Sequence, residues 1–215
     1  MTYTITKADA LLRIDIQGTF IWGGLPVAGG LDIIQGVNHL SREFKRLGAT
    51  VGDSQDWHPK DHSSLASNNP GTKPYDVIQT IYGPQVMWPD HGIEGTPEAE
   101  FHDWLDTAAS DFVIRKGRNR EIDSYSAFYE NDRVTSTGLA GLLRERGVKR
   151  VFLVGLAYDF CVGWSAIDAV TEGFKAVVLK DLTRAVDAPG SVAAVEGQFD
   201  NLNVDLADSS QLDFG

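Results

Sequence analysis

A chain of 215 residues with a formal charge of −11 and a single cysteine is long enough to bury a core without covalent staples, and it cannot form an internal disulfide. The acidic balance disfavours nucleic acid and anionic membranes as partners. No apolar run approaches bilayer-spanning length, and the opening MTYTITKADA lacks the pattern of a signal peptide, so a cytoplasmic protein without a membrane partner is expected.

ALLRIDI, residues 10–16, predicts a first buried strand that ends in an acid. In residues 29–48, Leu31, Ile34, Val37, Leu40, Phe44 and Leu47 recur every three or four positions, which is one helix face, and Gly48 stops it. ATVGDSQ, residues 49–55, predicts a second strand. From Trp57 to Gly95 the chain has no strong periodicity and is rich in Pro, Gly, Ser, Asn and His; a loop this long is usually functional or disordered. A helix is expected over 96–108, with Thr96 as N-cap and Pro97 at its first position. Strands are then predicted at 111–117, 150–157 and 175–181, with helices at 138–147, 161–173 and 190–202. This alternation gives an α/β fold: one domain over residues 1–215, three-layer α/β/α, with a mainly parallel, Rossmann-like sheet. Ligands of such sheets bind beyond the carboxyl ends of the strands.

Asp15, Lys116 and Cys161 each fall at or just past such an end. Alone, each has an ordinary reading: a strand-end acid, a surface lysine, a buried thiol. Together they form a thiol, a carboxylate to accept its proton and a cation to hold that carboxylate. Cys161 is expected to open a helix, where free N–H groups and the dipole favour a thiolate, while burial favours the neutral thiol. DWHPKDH supplies Asp56, His58 and His62, and WPDH adds Asp90 and His91; imidazoles and carboxylates in this number suit zinc, iron or manganese. Phe20, Trp88, Tyr125 and Phe128 lie near these residues and could wall a flat pocket.

The segments IDIQGTF, SQDWHPKDHSS, WPDHGIEGT, RKGRNREIDSYSAF and GLAYDFCV together resemble nicotinamidases, or pyrazinamidases, of the isochorismatase-like cysteine hydrolase superfamily. The resemblance spans about residues 10–185. It implies a catalytic triad of Asp15, Lys116 and Cys161, with backbone donors at Ala157 and Cys161 for an oxyanion. It implies one divalent metal ion (Zn, Fe or Mn) on Asp56, His58 and His91, no organic cofactor, and His62 as a candidate extra ligand. Phe20, Trp88 and Tyr125 match ring-contacting positions, and the Leu156–Ala157 peptide should be cis. The implied reaction is deamidation of nicotinamide, or pyrazinamide, through a thioester in NAD salvage. A sibling amidohydrolase, or a metal-binding protein with a dead site, is the alternative, and a homo-oligomer stays open. Gly18, Thr19, Gly92, Tyr158 and Phe160 depart from the family's commoner residues.

Overall fold

The computed structural model describes residues 2–215. Its elements in chain order are β1 (Tyr3–Thr4), β2 (Asp9–Ile14), α1 (Ile34–Arg46), β3 (Thr50–Asp56), β4 (Val77–Thr80), β5 (Gly83–Val86), β6 (Phe112–Lys116), α2 (Leu139–Glu145), β7 (Arg150–Leu156), α3 (Gly163–Thr171), β8 (Lys175–Arg184), α4 (Ser191–Leu202), β9 (Asp205–Ala207) and β10 (Leu212–Asp213). Six strands form a parallel sheet in the order β6-β3-β2-β7-β8-β9. The short β1 and β10 pair with each other.

Successive residues of a strand face opposite sides of the sheet, which explains the two cores. Leu11, Val51, Phe152, Val154 and Val177 pack with Val37, Leu40 and Phe44 of α1. Ala10, Leu12, Val151, Leu153 and Val178 pack with Leu143, Ala166, Ile167, Val195 and Phe199 from α2, α3 and α4. The expected three-layer α/β/α architecture follows. On the α1 face, the buried Arg13 donates to both oxygens of Asp53 at 2.7 Å, to Ser41 Oγ at 3.2 Å and to the Asp106 carbonyl at 2.9 Å. This fork joins β2, β3 and α1 without leaving a buried charge unpaired.

The helix read at 29–48 begins later, as a 3₁₀ turn over Gly30–Ile33 that leads into α1, and Leu31 is 38% exposed rather than on the buried face. The helix expected at 96–108 is absent. Short 3₁₀ turns at Pro97–Ala99 and Thr107–Ala109 flank an extended Glu100. Its backbone bonds go to the loop after β2 instead. The Gly18 N–H donates to the Glu100 carbonyl, the His102 N–H to the Ile16 carbonyl, and the Gln17 and Gln55 amides to the Ala99 carbonyl. Tertiary hydrogen bonds thus override a good capping signal. Within the long loop after β3, β4 and β5 form an antiparallel hairpin that no periodicity announced. Val77 and Ile81 on it are exposed, so it carries little of the alternation that marks a half-buried strand.

The chain runs outward from β2 through β3 to β6, then crosses back to β7 on the other side of β2. The carboxyl ends of β2 and β7 therefore flank the switch point, where open α/β sheets form their crevice. The close approach of these strands requires Gly155, whose φ is +112° and whose position would put a Cβ 2.1 Å from the Ile14 carbonyl oxygen. Among the described residues, no helix is long and apolar enough to cross a membrane.

Candidate active site

Asp15 follows β2 with φ +47°, Asp56 ends β3, Lys116 ends β6, and Cys161 lies beyond β7. The segment after β7 differs from the expected helix start. A π-helical turn, Tyr158–Val162, precedes α3, so Cys161 lies within the turn rather than opening the helix. The Leu156–Ala157 peptide is cis.

The fully buried Lys116 ammonium joins all these strand ends. Its Nζ lies 2.7 Å from Asp56 Oδ1, 3.0 Å from Asp15 Oδ2, 2.9 Å from the Ser124 carbonyl and 3.3 Å from Cys161 Sγ. Ser54 donates its hydroxyl to Asp15 Oδ1 at 2.6 Å. Among the described residues, Asp15 Oδ2 has the lysine ammonium at 3.0 Å as its ionic partner and no further donor. It therefore keeps acceptor capacity, and the Asp15 carboxylate and Cys161 Sγ are within 4.8 Å of each other.

Burial dominates the electrostatics here. It pushes Asp15 above its ordinary range; Lys116 pulls the other way, and Asp56 adds to the rise. Burial also pushes the Cys161 thiol well up, against the pull of Lys116 and with help from Asp15 and Asp56. Burial thus favours the neutral thiol, and Cys161 stands within the π-helical turn rather than at the helix start. Burial opposes the charge of Lys116, but Asp15 and Asp56 hold it well above its ordinary value. Asp56 stays well below the usual carboxylate range because Lys116 and His58 outweigh burial.

The other oxygen of Asp56 lies 3.4 Å from Nε2 of both His58 and His91. Their Nδ1 atoms bond the Gly117 carbonyl at 2.9 Å and the Pro89 carbonyl at 2.8 Å. With Nδ1–H donating there, Nε2 is in each ring the nitrogen left to offer a lone pair to a metal, the arrangement in which imidazoles hold metals. Gly117 makes room, since a Cβ there would fall 2.3 Å from His58 Cε1. His58 Nε2 is buried without a hydrogen-bond partner. One donor atom from each of Asp56, His58 and His91 lies within 4.8 Å of the other two. The orphaned nitrogen and this donor set fit a divalent cation. Without one, burial opposes protonation of His58, yet Asp56 pushes it up to about 9.

His62 stands apart from that trio and clusters instead with His58 and Asp123. Its Nδ1 accepts the Ser64 N–H at 3.2 Å, and its Nε2 faces the Ile122 carbonyl at 3.3 Å. Burial and His58 push it down to about 4.

Asp56, His91 and Cys161 line a cavity with about 330 Å³ of space, the open solvent at its mouth included. Phe20, Trp88 and Tyr125 line it, as do Ala157 and Cys161. Trp88, Tyr125 and Phe160 meet edge to face, with ring centroids 4.8–6.0 Å apart. Phe128 is instead a core residue beside Phe174, and Asp90 accepts a hydrogen bond from Ser67.

Sequence reasoning missed several supports. Gln17 accepts the Asp56 N–H and donates to the Asp56 carbonyl, both at 2.8 Å. Two departures prove to be neighbours, because Thr19 Oγ1 accepts the Gly92 N–H at 3.1 Å, next to His91. Asp123, Phe160 and Val186 also line the cavity. Gln17 and Ser54 lie inside quoted motifs, and that is the signal that could have singled them out.

A family model described as the isochorismatase domain matches residues 9–208. A nicotinamidase of Acinetobacter baylyi is 50% identical over 184 residues, covering 85% of this chain and 84% of that protein. The structure of an Acinetobacter baumanii nicotinamidase/pyrazinamidase superposes with a TM-score of 0.91 at 43% identity, covering 95% of this chain and 97% of that one. A Pyrococcus horikoshii pyrazinamidase solved in complex with zinc gives a TM-score of 0.76 at 31% identity, covering 94% and 99%.

Proposed function

The chain belongs to the isochorismatase family of hydrolases, and from that premise we propose that it is a metal-dependent nicotinamidase that also accepts pyrazinamide. The observation that carries this reading is the Lys116 ammonium, buried between Asp15, Cys161 and the Asp56 carboxylate of the histidine cluster. One side chain thereby joins a nucleophile and its base to a cation site, beside a cavity lined by aromatic side chains. The resemblance to nicotinamidases supports the substrate.

Asp56, His58 and His91 would hold one zinc, iron or manganese ion, which supplies a Lewis acid to orient the substrate ring. No organic cofactor is needed. Phe20, Trp88 and Tyr125 contact the flat faces and edges of the ring. Asp15 takes the proton of Cys161 as Sγ bonds the carboxamide carbon, and the carbonyl oxygen becomes an oxyanion. Backbone N–H groups of Ala157 and Cys161 stabilise that oxyanion, each contributing about 3–4 kcal/mol in comparable sites. Asp15 returns the proton to the amide nitrogen as the C–N bond breaks, releasing ammonia and leaving a thioester. Asp15 then deprotonates a water that attacks the thioester. The C–S bond breaks, nicotinic acid leaves and the proton returns to sulfur. Lys116 opposes the burial that favours protonated Asp15, so that the carboxylate can be ionised to accept the thiol proton, and it balances the charge that develops on sulfur. We place this reaction in a single domain, residues 1–215, in cytoplasmic NAD salvage.

The test is ammonia release from nicotinamide by purified protein, before and after chelation and with each metal restored. Release that disappears on chelation and returns with metal is the expected result. No release with any metal, from folded protein, would refute the reading and favour another small amide.

A further inference from the structure

Asp159 is a buried carboxylate, 2% exposed, two residues before Cys161. It does not take part in the chemistry above. A carboxylate only accepts hydrogen bonds, and burying one is costly unless donors surround it. All three of its donors come from the segment after β8. The Val186 N–H reaches Oδ1 at 2.9 Å, and the Asp187 N–H and Ser191 hydroxyl reach Oδ2 at 2.9 and 2.5 Å. Asp187 has φ +59°, a left-handed conformation that side chains other than glycine rarely adopt. Ser191 is the first residue of α4. The segment between β8 and α4 is thus folded around the side chain of Asp159, and Asp159 is anchored in the turn that carries Cys161. Val186, the first residue pinned, lines the cavity with Cys161 and Phe160.

We propose that Asp159 is a positioning residue that fixes the width of the substrate cavity by pinning Val186 to the nucleophile turn, so that small flat carboxamides are admitted and bulkier molecules are not. The substrate part of this statement rests on the nicotinamidase reading; the pin itself does not.

Asp159→Asn is nearly isosteric but keeps only one acceptor oxygen and turns an N–H₂ toward a backbone N–H. The experiment compares alkylation of Cys161 by iodoacetamide, a small carboxamide, with alkylation by the bulkier N-ethylmaleimide. A change in thiol acidity affects both reagents, so the ratio of their rates reads access. Loss of about 1.4 kcal/mol from the pin would raise the maleimide-to-iodoacetamide ratio about tenfold. Val186→Ala should raise it similarly, and the double variant should go no further than Val186→Ala, because both changes act through one side chain. In turnover, Asp159→Asn should raise KM for nicotinamide more than it lowers kcat.

An unchanged ratio in folded Asp159→Asn, or additive effects in the double variant, would overturn the proposal. If Asp159→Asn fails to fold, Ser191→Ala removes one of the three donors and must shift the ratio in the same direction; no shift would equally overturn it. A wild-type protein that releases no ammonia would refute the nicotinamidase reading and leave the alkylation test intact.

Discussion

Replacing Lys116 with Met keeps the length of the side chain and removes its charge. The ammonium is fully buried between Asp15 and Asp56, at 3.0 and 2.7 Å. Its loss leaves two carboxylates facing each other out of water, and breaking a buried pair in this way costs about 3–5 kcal/mol. In a chain of this size that lowers Tm by roughly 10 °C. The pH dependence identifies the cause. Lys116 draws both carboxylates down, so without it the folded protein holds protons on Asp15 and Asp56 at a pH where the unfolded chain, with an ordinary value of 3.8, has released them. The folded state then binds more protons than the unfolded one, and stability falls as pH rises. The loss is therefore largest at high pH and shrinks as the pH falls toward 3.8 and the carboxylates are neutralised. Urea denaturation of wild type and Lys116→Met, both with chelator so that no cation balances Asp56, would measure it. A loss under about 1 kcal/mol, or one equal at high pH and near pH 3.8, would refute the buried-pair account.

The pH profile of kcat/KM should reflect the same burial. Asp15 must be ionised to take the thiol proton, and its pKa is raised by burial, so the acid limb should lie above 3.8. On the alkaline side the rate should hold past 9.0, the ordinary thiol value, because burial keeps Cys161 protonated well beyond it; stopped ammonia assays across pH would test both limbs, and an alkaline fall below that value would contradict the neutral-thiol assignment. Gly155→Ala places a methyl group 2.1 Å from the Ile14 carbonyl oxygen at a positive φ. It should destabilise the protein by at least about 2–3 kcal/mol by thermal unfolding and reduce activity further, since Asp15 directly follows Ile14; a variant with wild-type Tm would show that β2 and β7 can separate without cost.

Five of the six central strands, β2, β3, β6, β7 and β8, the layer order and the residues with chemistry were legible in the sequence because they follow local rules. Apolar runs between turn signals marked β2, β7 and β8. A 3.6-residue period marked most of α1. Acid, lysine and thiol stood at or just past predicted strand ends, where a parallel sheet gathers distant residues to one edge, and the histidines fell in the long irregular stretch after the second strand. What local rules could not reach depended on partners far along the chain. Thr96 and Pro97 gave a sound helix signal, yet Gln17, Gln55 and the backbone of the loop after β2 took the hydrogen bonds a helix would have used. The β4–β5 hairpin is too exposed for its pattern to show.

The sequence alone determined which groups the site contains, because residue type decides what can donate, accept, ligate or attack. Only the tertiary structure decided their states and their supports. The neutral thiol of Cys161, the raised Asp15 and the lone pairs of His58 and His91 depend on burial and on carbonyls brought up by other segments. The pairing of Thr19 with Gly92 and the folding of the segment after β8 around Asp159 are likewise contacts between remote positions. Dielectric environment and hydrogen-bond geometry belong to the assembled chain, and no stretch of sequence carries them by itself.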